Sequence, residues 1–361
     1  MAEQLKNVYT DQYITNLANK IKENYKEFNT NSFISSVFDK SWNDLELKQR
    51  MRHIALMINE FLPMSYENQL EVLKPASKDF GSYEGMFFQD FVEVFGLEDF
   101  KNSIKALEVF TIDCSSEFAI RQFILKYEDK TMNQMKLWSQ SSNEHLRRLA
   151  SEGCRPRLPW AIALSKYKKE PKRVLEIIEL LKNDESEYVR KSVANNLNDI
   201  SKDNPFLVIE FVEKNINKNK NLDWICKHAS RTLLKQGNEK VLELFGFVGS
   251  SHLDIIGFKY DDSVNIGDDF YFSFDIKSED KIGNVRVEYI IHYLKSNGTH
   301  SKKVFMINQN EIKSKNKSFS KKQSFKNMTT RKHYIGEHFI SIVVNGKEKI
   351  KGSFIVNDTS N

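Results

Sequence analysis

A change of hydrophobic period near Ser250 constrains this 361-residue chain more than any other feature. Upstream of it, apolar residues recur at helical spacing, as in Ile120, Phe123, Ile124 and Tyr127, or Val174, Ile177, Ile178 and Leu181. Downstream, short β-rich runs take over: LDIIGFKY, FYFSFDI, VRVEYIIHYL, HFISIVV and GSFIVND, separated by Gly, Asn, Asp and Lys clusters. One period cannot serve the other element, so the pattern predicts a mainly α chain in two domains. A helical domain spans residues 1–249 and a β-sandwich of immunoglobulin-like type spans 250–361.

Helix boundaries are written in caps and breakers. Ser115 or Ser116 precedes one helix, Asn143 precedes another, Gly153 ends that one, and Pro171 and Pro205 open two more. Three segments are loosely alike: NEHLRRLASEG from Asn143, SEYVRKSVANNLND from Ser186 and DWICKHASRTLLKQGN from Asp223. Spacings of about 40 residues suit HEAT-like pairs of antiparallel helices, stacked into a solenoid with a concave face. A non-repetitive bundle fits the same pattern.

Charge narrows the partners. The net charge is +5. After Ser250 there are 18 Lys and Arg against 13 Asp and Glu, so the helical part is balanced. The excess concentrates in Lys302, Lys303, Lys313, Lys315, Lys317, Lys321, Lys322, Lys326, Arg331 and Lys332, a stretch that reads either as a solvated loop or as a phosphate-contacting surface. No run of about 18 apolar residues offers a membrane span, which predicts a cytoplasmic protein with no membrane partner. Cys114, Cys154 and Cys226 are odd in number and far apart, so they read as buried thiols rather than a disulfide framework or a metal site. His145 and His228 read as surface or packing residues.

The chemistry-bearing stretch is residues 111–200. Glu152 falls in the last turn before Gly153, and Asp199 near the end of its own helix, where the macrodipole disfavours an acid by about 0.3–1 kcal/mol. Ion pairs at i,i+4, Arg148 with Glu152 and Arg121 with Glu117, give these acids a structural reading. Against it stands their company, Cys154-Arg155-Pro156-Arg157-Leu158-Pro159-Trp160, a stiff, basic, aromatic loop. Arg147, Arg148, Arg155, Arg157, Arg190 and Lys191 read as a phosphate-tracking stripe. Trp160 reads either as a space-filler or as a ligand-facing ring.

SSEFAIRQFI, LRRLASEGCRPRLPW and VRKSVANNLNDI together resemble the core of AlkC-type DNA alkylation repair glycosylases. The resemblance covers the whole helical region, and the C-terminal runs resemble the immunoglobulin-like domain that many members carry. It implies an active site of Glu117, Glu152, Trp160 and Asp199, none of which departs from the family's pattern. Arg121, Arg147, Arg148, Arg155, Arg157, Arg190, Lys191 and Arg231 are then candidate contacts to double-stranded DNA. It also implies hydrolysis of the N-glycosidic bond of cationic bases such as 3-methyladenine, without the deep base flipping of most glycosylases. No metal or organic cofactor is expected, the lysine-rich sandwich is expected to clamp the bent duplex, and a monomer acting at the nucleoid suffices. The competing reading is a non-catalytic HEAT-repeat DNA-structure binder or scaffold, which has no need of three acids on a basic surface.

Overall fold

A computed structural model describes residues 4–247, 249–328 and 331–358. The chain divides into two compact units, Met1–Val208 with Asn217–Ala229, and Ile209–Ile216 with Ser230–Asn361. Among the described residues the first unit is helical throughout: α1 (Asp11–Asn24), α2 (Thr30–Val37), α3 (Leu47–Phe61), α4 (Tyr66–Ala76), α5 (Phe87–Phe95), α6 (Phe100–Phe110), α7 (Ile120–Lys126), α8 (Glu128–Trp138), α9 (Glu144–Glu152), α10 (Ser165–Lys169), α11 (Lys172–Leu181) and α12 (Glu187–Ile200). Helix α13 (Pro205–Asn215) runs out of this unit, and α14 (Lys220–Ala229) returns to it. No helix among the described residues is long and apolar enough to cross a membrane.

Local chemistry explains the boundaries. The Asn143 side chain accepts from the His145 amide at 2.8 Å and starts α9, and Pro171 and Pro205 stand at the starts of α11 and α13. Gly153 ends α9 in ordinary right-handed backbone, so steric space rather than a positive φ selects glycine there. A Cβ on it would lie 2.7 Å from Ile120 Cγ2 and 2.9 Å from Met135 Cε. Helix α8 packs on α9, α9 on α12, and α12 on α14, so the three related segments are successive neighbours. Their shared apolar positions explain this: Leu146, Leu149 and Ala150 of α9, and Val189, Val193 and Leu197 of α12, are buried at i, i+3/i+4 spacing. The third segment breaks at Ser230 between α14 and α15 (Arg231–Lys235), rather than forming one helix.

The second unit holds α15, α16 (Glu239–Leu244) and eight strands: β1 (Asp254–Tyr260), β2 (Ser263–Asn265), β3 (Asp269–Lys277), β4 (Gly283–Leu294), β5 (His300–Ile312), β6 (Asn316–Ser324), β7 (Gly336–Val344) and β8 (Lys347–Asn357). They form two sheets, ordered β1-β3-β6 and β2-β8-β7-β4-β5. Strict alternation on β3 sends Phe270, Phe272, Phe274 and Ile276 into a core shared with Val287, Ile291, Ile340 and Phe354 of the other sheet. Phe270 stacks on Phe354 at 4.0 Å across that interface. Asn345 and Gly346, with φ of 46° and 77°, form the two-residue turn between β7 and β8.

Much of the lysine-rich stretch, which one reading took for a solvated loop, is β5 and β6. Each is the last strand of its sheet, and their lysines, including Lys302, Lys303, Lys317 and Lys321, are exposed. Lysine on an edge strand blocks edge-to-edge pairing with other chains. That device hid the strands from a propensity-based reading, because Lys is depleted in strands generally.

Candidate active site

The three singled-out acids come together in the first unit as one file of alternating charges. At its outer end, Glu117 accepts from Ser115 Oγ at 2.8 Å and from the guanidinium of Arg148. Arg148 also reaches Glu152 at 3.5 Å. Glu152 accepts from Arg155 Nη1 and from Ser192 Oγ, both at 2.6 Å. Arg155 then forks onto Asp199, Nε and Nη2 each 2.8 Å from Oδ2, and Lys202 Nζ closes the file 3.0 Å from Asp199 Oδ1. Three carboxylates thus face three cations.

Burial makes this arrangement strict. The side chains of Glu152, Arg155 and Asp199 are 6%, 8% and 3% exposed. A charge removed that far from water needs a partner, because its desolvation costs several kcal/mol. For Arg148 and Arg155 burial by itself lowers the pKa. The neighbouring acids outweigh it, Glu152 and Glu117 for Arg148, and Glu152 and Asp199 for Arg155, and both guanidiniums end above their usual value. The Cys114 thiol is pushed up, first by burial and then by Glu117. All three cysteines are free and buried, as expected.

Glu117 and Arg148 open onto a cavity of about 330 Å³, whose wall includes Lys48, Tyr83, Phe118, Trp160 and Tyr188. Glu152 and Asp199 do not reach that wall. They stand behind Arg148 and Arg155, so the acids form a shell in depth rather than a single surface. Trp160 does not fill space between helices: the residue is 66% exposed and lines the cavity. It occupies the third position of a turn, Leu158-Pro159-Trp160-Ala161, closed by the Ala161 amide on the Leu158 carbonyl at 3.3 Å. Proline at the second position and a φ of 63° at the third are the pattern of a type II turn, whose third position favours Gly or Asn. Left-handed backbone costs a residue such as Trp about 1–2 kcal/mol.

Two expected DNA contacts are corrected. Arg121 is fully buried and reaches no solvent. It donates to the carbonyls of Ile162 (2.7 Å), Gly153 (2.9 Å) and Arg155 (2.8 Å), clasping both ends of the loop that carries Arg155 and Trp160. Burial pulls its pKa down to about 10. The i,i+4 pair with Glu117 does not form, because α7 starts at Ile120 and Glu117 lies before it. Arg155 is likewise buried, held between Glu152 and Asp199.

The remaining basic candidates are nearer the surface and carry protein partners. Arg147 forks onto Asp184 at 2.7 and 3.0 Å, and Arg157 onto Asp203 at 2.9 and 2.6 Å. Arg190 donates to the carbonyls of Asp184 and Glu185, and Lys191 pairs with Glu187 at 2.8 Å. Arg231 opens α15 in the second unit and is half-buried. Ser115, Ser192, Lys202 and Lys48 belong to the site although sequence reading missed them. Ser115 alone carried a local signal, standing two residues before Glu117. Among the described residues no group of three His, Cys, Asp or Glu side chains is placed to hold a metal ion.

This fold is that of the DNA alkylation repair enzyme family. Residues 100–233, which contain every acid of the file, match the family model described as "DNA alkylation repair enzyme". Residues 256–358 match that of the "C-terminal Ig-like domain" of the protein YhaZ. A Bacillus subtilis (strain 168) relative, "Uncharacterized protein YhaZ", is 43% identical over 347 residues, covering 96% of this chain and 97% of its own. Among solved structures, the alkylpurine DNA glycosylase AlkC of Pseudomonas fluorescens, bound to DNA containing an abasic site analog, matches with a TM-score of 0.94. It is 34% identical, with 98% of this chain and 100% of that one covered. Within the alkylation repair enzymes, the chain belongs to the AlkC-type family with a C-terminal immunoglobulin-like domain.

Proposed function

We propose that this protein is a DNA glycosylase that hydrolyses the N-glycosidic bond of cationic alkylated bases, 3-methyladenine among them, in double-stranded DNA. The observation that carries the reading is Glu117, placed with Trp160 on one cavity and backed by the ion-paired Glu152 and Asp199. Methylation at a ring nitrogen makes the base a cation and hence a good leaving group. As the bond from C1′ to nitrogen breaks, its electron pair neutralises the ring and positive charge develops on the sugar. Glu117 beside that oxocarbenium-like centre stabilises it, as carboxylates do in glycosidases. Water then bonds to C1′ and releases its proton to Glu117 or to solvent. The exposed face of the Trp160 indole attracts the cationic lesion or sugar by about 0.5–2 kcal/mol.

Several finer features belong to the same proposal. The side-by-side packing of α8, α9, α12 and α14 supports a HEAT-like stack; in this reading the protein acts as a monomer, and no step needs a metal or organic cofactor. The lysines of β5 and β6 would hold phosphates as a clamp, offsetting a bending cost of several kcal/mol. A cavity wall of protein side chains, with two of the three acids behind it, suits chemistry directed at a lesion that is not swung into a deep pocket.

The test is release of methylated purines from alkylated duplex DNA by the parent protein and by Glu152→Gln and Asp199→Asn. The expected result is 3-methyladenine release by the parent, with release lost and DNA binding kept in the variants. A parent that binds DNA and releases no base would make the protein a non-catalytic DNA-structure binder.

A further inference from the structure

Trp160 presents a conformational problem that its own loop does not solve. Its backbone sits in a left-handed position that suits Gly or Asn, and its ring is too exposed for packing to hold it. Arg121 pins the loop at Gly153, Arg155 and Ile162, on both sides of the turn. At residue 160 itself the tie comes from Lys48, in the first turn of α3, whose Nζ donates to the Trp160 carbonyl at 2.9 Å. The same ammonium lies 4.5 Å from the centre of the Phe118 ring, next to Glu117 in the chain. Lys48 also stands in the wall of the cavity that Glu117 and Trp160 share.

We infer that Lys48 is a positioning residue: it fixes the Trp160 peptide in its left-handed turn and holds the indole in register with Glu117 across the cavity. One charged group therefore joins the two segments that carry these side chains, and it comes from a helix outside the matched 100–233 region. Lysine suits the task. Its ammonium donates to a carbonyl and attracts a ring at the same time, whereas a neutral side chain of the same length does neither. This inference rests on the glycosylase reading for its catalytic consequence, though not for the tie itself.

The experiment compares the full-length parent, Lys48→Met and Lys48→Arg, each labelled with 5-fluorotryptophan, with the Trp160 resonance assigned by its loss in Trp160→Phe. In the Met variant the ¹⁹F signal of Trp160 should shift or broaden while those of Trp42, Trp138 and Trp224 stay in place. The single-turnover rate of base release at saturating protein should fall about 10-fold, DNA affinity should stay within about 2-fold, and Arg should restore most of the rate. An unchanged Trp160 resonance would overturn the tie. A normal rate at saturation, with weaker binding and a salt slope reduced by about one, would also overturn the inference and make Lys48 a phosphate contact. A parent that releases no base overturns the glycosylase reading alone, since the ¹⁹F comparison still decides whether Lys48 orders Trp160.

Discussion

Replacing Arg155 by Met removes the central cation of the acid file and keeps the length of the side chain. It strands two buried carboxylates, Glu152 and Asp199, and breaking a buried ion pair from one side costs about 3–5 kcal/mol. The structure places the cost at the lower end, because each acid keeps a second cation: Arg148 lies 3.5 Å from Glu152, and Lys202 lies 3.0 Å from Asp199. About 3 kcal/mol in a unit of this size lowers Tm by roughly 6–12 °C. Urea unfolding followed at a helical wavelength measures it directly. The double variant Arg155→Met/Asp199→Asn removes one stranded charge, so its loss should be smaller than the sum of the single losses by about 1–3 kcal/mol. A cost below about 1 kcal/mol for Arg155→Met, or strict additivity in the double variant, would refute the view that these charges hold one another in place.

Three further outcomes follow from the geometry. Glu117→Gln should lower the single-turnover rate of base release by about 10²–10⁴ with DNA affinity nearly unchanged, and an equal rate would take Glu117 out of the chemistry. Gly153→Ala drives a Cβ into Ile120 and Met135, both buried, and should cost about 1–3 kcal/mol in urea unfolding; a neutral result would mean that α9 and its neighbours shift freely. Burial, then Arg331 and His338, lowers the pKa of His333 in the sandwich from 6.5 to about 4. The unfolded chain binds the proton first, so this stability is complete above pH 6.5 and is lost as pH falls towards 4, by up to about 3 kcal/mol. Hydrogen exchange in β4 and β7 should record the loss, and His333→Leu should flatten it.

What could be read from the sequence was what local chemistry decides. The Asn143 cap, the stops at Gly153 and the starts at Pro171 and Pro205 are set by residues within one helical turn, and so was the oddity of acids at the ends of α9 and α12. What could not be read was pairing at long range. Arg121 serves carbonyls 32 to 41 residues away, and Arg155 serves Asp199 from 44 residues away. Spacing within one helix pointed Arg121 at Glu117 instead, and failed because the helix starts after Glu117. The lysine-rich strands failed for the converse reason. Their composition matches a loop, and their position at the sheet edges, a property of topology, is what selects lysine there.

Charge ties these points together. A concentration of arginines in residues 147–190 looks like affinity for a polyanion, yet the structure gives these side chains acids and carbonyls inside the protein. The file itself is electrically balanced, Glu117, Glu152 and Asp199 against Arg148, Arg155 and Lys202. An unbalanced set of three acids would repel a phosphate backbone. Pairing removes that obstacle, because each cation cancels the field of its acid at the distance of the approaching strand. Binding and chemistry then make separate demands on the sequence: the arginines of the first unit go to holding acids and backbone carbonyls, and the net positive charge lies beyond Ser250, largely in lysines.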